Sequence, residues 1–158
     1  MLVREIMVTP IITVHEDCSL EEAAKIMLER NVGGLPVVNE RGELCGIVTE
    51  SDFVAKGKGI PFTIYRFPQI FGEWMPHEHV ERIYEAARSR KVNQIMTRNV
   101  ITVTEVDTIE TVLEKMLKCG LHRLQVVRDR KPIGIITRRD LLRLMLRQFP
   151  ESKQNKKA

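Results

Sequence analysis

The sequence predicts an α+β (mixed α/β) protein made of two β-α-β-β-α copies related by an approximate two-fold axis. Three observations carry this. Residues 3–38 align without a gap on residues 92–127, at an offset of 89. A single deletion in the later turn then brings "GIVTESD" (residues 46–52) onto "GIITRRD" (residues 134–140). Within each copy, short apolar runs and helix-spaced apolar positions follow one another in the same order. Two copies make a pair, whereas a solenoid needs at least three. Each copy alone is too small to bury much apolar surface, so the two are expected to share a core.

The elements follow in order. "IITV" and "VITV" read as extended segments. A helix comes next in each copy. Its apolar positions are Leu20, Ala23, Ala24, Met27 and Leu28 in the first copy, and Ile109, Val112, Leu113, Met116 and Leu117 in the second. That is the i, i+3, i+4, i+7, i+8 spacing of one helical face. Ser19 with Glu22 forms a capping-box pattern at the first helix start, and Thr108 holds the matching place. Two strands follow, "LPVV" and "LCGIVT", or "LQVV" and "PIGIIT", the first pair joined by the polar turn "NERG". A last helix opens at Thr49 or Thr137. The organisation is therefore copy one over 1–55, a connecting insertion over 56–91, copy two over 92–149, and a polar tail, expected to be disordered, over 150–158.

Composition narrows the function classes. No apolar run approaches the roughly 20 residues of a membrane helix, and the N-terminus shows no signal-peptide pattern; a cytoplasmic protein without a membrane partner is expected. Cys18, Cys45 and Cys119 are odd in number and lack Cys-x-x-Cys spacing, so they read as small buried thiols rather than a disulfide framework or zinc site. Residues 1–54 hold 4 Lys/Arg against 10 Asp/Glu, and residues 92–158 hold 14 against 7. An acidic first half and a basic second half suit either an anionic partner or mutual attraction across an interface. In a dimer this would favour copy one against copy two. Nucleic acid is a weaker expectation, since no helix-turn-helix or zinc-finger pattern supports it. There is no nucleophile–base pair and no phosphate-binding Gly-x-x-x-x-Gly-Lys loop, so an enzyme is not expected.

The doubled Thr-x-x-Asp admits two readings. Thr followed three residues later by Asp resembles a capping box, so Thr49, Asp52, Thr137 and Asp140 could serve only the helix starts. The same physics suits a ligand. A helix N-terminus offers unpaired N–H groups to phosphate, and a neighbouring carboxylate can accept from ribose hydroxyls.

The doubled Gly-x-x-Thr-x-x-Asp, the "GGLPVV" and the "IMT…VITV" lead-in resemble a tandem cystathionine-β-synthase (CBS) domain pair, a Bateman module, over about two thirds of the chain. The resemblance implies ribose contacts for Asp52 and Asp140, and ribose or phosphate contacts for Thr49 and Thr137. It also implies that each cleft borrows a wall from the other copy: Ile12, Gly33 and Gly34 for the site of Asp140, and Ile101 and His122 for that of Asp52. It implies an adenine nucleotide (AMP, ADP or ATP) as ligand rather than a cofactor, a homodimer, and a regulated protein the sequence does not name.

The two sites are not equal. Arg138 and Arg139 stand between Thr137 and Asp140, where the first copy has Glu50 and Ser51. His122 and Arg123 stand where it has Gly33 and Gly34. Arginine matches phosphate oxygens and Glu50 repels them, so the second site favours a phosphorylated ligand. S-adenosylmethionine, carrying a sulfonium, fits less well. The insertion holds Phe62, Tyr65, Phe67, Phe71 and Trp74, then a helix pattern with Val80, Ile83, Tyr84 and Ala87 on one face. It reads as a satellite core, or as a flap over one cleft. His77 and His79 are two apart with no third ligand, so no metal is expected. A ligand-free interaction module is the competing function.

Overall fold

The computed structural model describes residues 1–54, 85 and 88–148. The aromatic insertion, the helix expected after it, His77, His79 and the tail lie outside the described residues. The chain divides into two compact units, one formed by residues 12–100 and the other by residues 1–11 together with the chain from Ile101 onward. They are called here the Asp52 unit and the Asp140 unit.

In the Asp52 unit the chain runs β1 (Val14–His15), α1 (Leu20–Arg30), β2 (Gly34–Val38), β3 (Leu44–Thr49) and α2 (Glu50–Val54). The sheet order is β1-β2-β3. β1 lies parallel to β2, with Val14 opposite Val37, and β3 returns antiparallel, with Gly34 opposite Thr49. The capping box forms: Ser19 Oγ accepts from Glu22 N at 3.2 Å, and the Glu22 carboxylate accepts from Ser19 N at 3.2 Å. α1 ends at Asn31, whose φ of 51° is the left-handed C-cap conformation. Leu20, Ala23 and Met27 bury against Val14, Leu35, Val37 and Val48.

The Asp140 unit repeats this with β4 (Thr102–Thr104), α3 (Ile109–Cys119), β5 (Arg123–Arg128), β6 (Lys131–Thr137) and α4 (Arg138–Gln148), its sheet ordered β4-β5-β6. Thr108 caps α3, its hydroxyl accepting from Thr111 N at 3.3 Å. The β5–β6 hairpin turns on Asp129 and Arg130, both at positive φ (48° and 65°), as a tight two-residue hairpin turn demands. The first copy spans its turn with residues 39–43, where Asn39 Oδ1 accepts from Arg41 N and Glu43 N. Counted between the equivalent pairs Val38–Leu44 and Val127–Pro132, the first copy has residues 39–43 and the second only residues 128–131, which is the single deletion visible in the alignment.

The compact units do not coincide with the sequence repeats. The lead-in of each repeat packs into the unit that holds the other repeat's sheet. Val3–Glu5 forms a 3-10 turn in the Asp140 unit, with Val3 N donating to Asp107 O at 2.9 Å and Arg4 N to Glu105 O at 3.0 Å. Val8 then pairs with Ile135 through two backbone bonds of 2.8 and 3.1 Å. Val92–Gln94 does the same in the Asp52 unit: Val92 N donates to Cys18 O at 2.8 Å and Asn93 N to Glu16 O at 3.0 Å, and Thr97 pairs with Ile47 at 2.9 Å in both directions. Each three-stranded sheet thus gains a bridge on its β3 or β6 edge. Val3 joins the core of one unit, and Val92, Ile95 and Met96 join that of the other.

Two expectations change. The predicted helical faces are only partly covered: Leu28 is 82% exposed and Leu117 78%, and Leu113 is exposed as well. The strip at i, i+3 and i+7 is buried with apolar residues of the strands, and the i+8 position, one residue further round the helix from i+7, is exposed. The thiols are also less buried than expected. All three are free, but Cys18 and Cys45 are half-buried and Cys119 is exposed.

Candidate functional site

Each Thr-x-x-Asp lies at a strand-to-helix junction. Strand alternation drives Ile136 into the core and leaves Thr137 as the last residue of β6, so α4 begins at Arg138. Asp140 is only 7% exposed. Its Oδ2 accepts from Thr137 N at 2.9 Å and from Thr137 Oγ1 at 2.7 Å, and Asp140 N reaches back to Thr137 Oγ1 at 3.4 Å. This is a reciprocal cap. Its other oxygen, Oδ1, accepts from Arg143 Nη1 at 2.9 Å, one helical turn on.

Beside this pair lies a recess of about 270 Å³, walled by residues 5–8 of the lead-in and by Asp140, Arg143 and Leu144. The exchange of lead-ins therefore builds one wall, and the helix start builds the other. Glu5 also lines it, but its carboxylate is tied back by Leu2 N at 2.8 Å.

The Asp52 junction repeats the cap. Asp52 is 5% exposed. Its Oδ2 accepts from Thr49 N at 2.8 Å and from Thr49 Oγ1 at 3.0 Å, and Ser51 Oγ stands 2.9 Å from Thr49 Oγ1. Glu50 N donates to Gly33 O at 3.3 Å.

The structure brings several of the expected residues together within each unit. Gly34 pairs with Thr49, and Arg123 with Thr137. His122 is exposed and its carbonyl accepts from Arg138 N at 3.1 Å. The Arg138 guanidinium donates Nε–H to Leu121 O at 3.2 Å, so this side chain is partly engaged in closing the loop before β5. Arg139 is exposed in the first turn of α4. Ile12 is half-buried against the Asp52 unit's core, while Ile101 is exposed. Sequence reasoning missed Arg143 and the wall of residues 5–8. Arg143 was detectable as the i+3 neighbour of Asp140 on the same helical face. The wall was not, because nothing local ties residues 5–8 to residues 134–144.

A second, more open recess of about 570 Å³ lies in the Asp52 unit along β1 and α1, with Cys18, Glu22 and Lys25 among its walls. Burial, helped by a hydrogen bond to Glu22, pushes the Cys18 thiol up to about 11, so it is a neutral group at physiological pH. Among the described residues, no three His, Cys, Asp or Glu side chains gather as a metal site. None of the described helices is long and apolar enough to cross a membrane.

These features define a paired β-α-β-β-α module with a buried, capped carboxylate at each strand–helix junction. A family model for the CBS domain matches residues 3–59 and 92–147, and the chain belongs to that family, as two tandem copies. It is similar to the uncharacterized protein MJ1426 of Methanocaldococcus jannaschii, 32% identical over 157 residues and covering 92% of each chain. Among solved structures it resembles the CBS domain of a CBS domain-containing membrane protein from Sphaerobacter thermophilus, with 41% identity, TM-score 0.73, and coverage of 90% of this chain and 86% of that one. It also resembles the CBS domain pair of protein MJ0100 in complex with 5′-methylthioadenosine and S-adenosyl-L-methionine, with 32% identity, TM-score 0.67, and coverage of 94% and 98%. Some curated relatives are much longer: the chain spans 23% of the L-aspartate semialdehyde sulfurtransferase of M. jannaschii and 42% of its protein MJ1225.

Proposed function

We propose that the chain is a regulatory module that binds an adenosine-bearing ligand at its Thr-x-x-Asp junctions, and that the ligand at Asp140 is an adenine nucleotide (AMP, ADP or ATP). The observation that carries this is the placement of Asp140. The carboxylate of a residue 7% exposed, locked in orientation by two bonds from Thr137, borders a recess of about 270 Å³. Such a group is suited to accept from the hydroxyls of a ribose, because its orientation is fixed before the ligand arrives. The resemblance to a domain pair that holds two adenosine derivatives supports the ligand class. Arg139 and Arg143 beside Asp140 favour phosphate oxygens. Glu50, in the equivalent place beside Asp52, suits a neutral or cationic ligand instead.

The proposal is regulatory because binding alone does no chemistry. A ligand with unequal affinity for two states of the module, or of its assembly, shifts their balance, and a partner reads the shift. The exposed leucines at equivalent places in the two copies, Leu28 and Leu117, with Leu142, Met145 and Leu146 on α4, support a homodimer formed through helical faces.

A second reading is favoured by the cap itself. The Thr137–Asp140 bonds form a complete capping box without any ligand. On that reading the module is an interaction surface alone. Calorimetric titration with AMP, ADP, ATP and S-adenosylmethionine separates the two, with Asp140→Ala alongside and its fold checked by circular dichroism. Binding lost in a folded Asp140→Ala supports the ligand site. No binding to the wild type leaves only the cap.

A further inference from the structure

Resting on the nucleotide reading of the Asp140 recess, we infer that Arg143 is its specificity-determining residue: it occupies Asp140 in the absence of ligand and yields only profitably to a ligand that carries a phosphate. A carboxylate offers about four lone-pair positions, two on each oxygen. Oδ2 of Asp140 is filled by Thr137 N and Thr137 Oγ1. Oδ1 holds Arg143 Nη1 at 2.9 Å, so the two hydroxyls of a ribose cannot both bind this carboxylate until Arg143 withdraws.

The geometry makes that withdrawal easy. The Arg143 side chain is 60% exposed while that of Asp140 is 6% exposed. The guanidinium end of the pair stands largely in water, so the long side chain can swing out while the carboxylate stays fixed by Thr137, provided that what replaces it also satisfies Asp140. Both groups line the same recess, so a displaced guanidinium stays within reach of what enters it. A nucleoside would send Arg143 into water with no new partner. A nucleotide would exchange one charge-assisted bond for two: ribose on Asp140 and phosphate on Arg143. Copy one has Ala55 at the equivalent sequence position, so the filter belongs to one junction of the two.

The test is calorimetry with AMP and with adenosine, on the wild type, Arg143→Ala and Arg143→Lys. The wild type should prefer AMP by roughly tenfold to hundredfold, the worth of a hydrogen bond to a charged group. Arg143→Ala should lose most of that ratio, with adenosine bound as well as before or better, because Asp140 Oδ1 is now open. Arg143→Lys should retain part of it. An AMP-to-adenosine ratio that Arg143→Ala leaves unchanged overturns the role of Arg143 while sparing the ligand site. Failure of the wild type to bind either compound overturns both. Thermal melts confirm that the variants are folded, as expected for so exposed a side chain.

Discussion

Met96 fills the space that a β-carbon on Gly46 would need. Such a carbon would stand 2.8 Å from Met96 Cγ, closer than packed carbon atoms approach, and 3.2 Å from Met96 Cβ, tighter than most such contacts. Gly134 stands in the same relation to Met7, whose Sδ would be 3.0 Å away, with the Val8 carbonyl at 3.1 Å. The glycine of each "GI" thus exists for the methionine of the other repeat's lead-in. Gly46→Ala should destabilise the protein by about 1–3 kcal/mol, the usual cost of overpacking a tight core. Chemical denaturation would check it. Met96→Ala in the Gly46→Ala background should recover part of the loss by relieving the clash; independent, additive losses would mean the two residues do not meet.

The capping bonds make a separate prediction. Thr137→Val removes the hydroxyl that Asp140 N reaches and that donates to Asp140 Oδ2. A loss of about 1–2 kcal/mol is expected, as for other N-cap removals. Thr49→Val should cost a similar amount. Equilibrium unfolding midpoints, with unchanged denaturant slopes, would measure both.

Cysteine reactivity should separate the three thiols. At neutral pH the exposed Cys119 should react first with a thiol reagent. Cys18, pushed up to about 11 by burial and then by Glu22, should react slowly until the pH is strongly alkaline. Glu22→Gln should bring its reactivity toward lower pH, though not fully, since burial is the larger cause. A thiol whose folded value is raised favours the folded state below its unfolded value near 9, and that contribution is lost as pH rises toward 11. Labelling rates followed by mass spectrometry from pH 7 to 11 test the order; rapid labelling of Cys18 at pH 7 would contradict it.

The exposed leucines test the proposed assembly. Leu28→Glu and Leu117→Glu change side chains 82% and 78% exposed, so the stability of the single chain should move by less than about 0.5 kcal/mol. Sedimentation should show a dimer for the wild type and a monomer for a variant whose leucine lies in the interface. A wild-type monomer, or two variants that remain dimeric, would remove these positions from the assembly.

Much of the site was legible locally. Thr49, Asp52, Thr137 and Asp140 announced themselves by spacing, because a cap is an interaction over three residues and needs no knowledge of the fold. The helix at residues 20–30 was legible from Ser19 and Glu22 at one end and the apolar period along it. Leu28 and Leu117 misled for the opposite reason: periodicity marks an apolar strip but does not say how much of its width the fold covers. Arg143 went unremarked because its meaning depends on the recess beside it.

The sequence by itself determined the doubling of the unit, written in the repeat at an offset of 89, and the order of strands and helices and the cap at each junction, which rest on hydrogen bonds and apolar spacing within a few residues. Only the tertiary structure decided where each lead-in packs. Val3 and Val92 present the same apolar pattern, and either could complete either sheet, so local pattern is silent between the two choices. The choice is made by long-range pairing, Val8 with Ile135 and Thr97 with Ile47, and by Met7 and Met96 fitting over Gly134 and Gly46. That choice walls the recess beside Asp140.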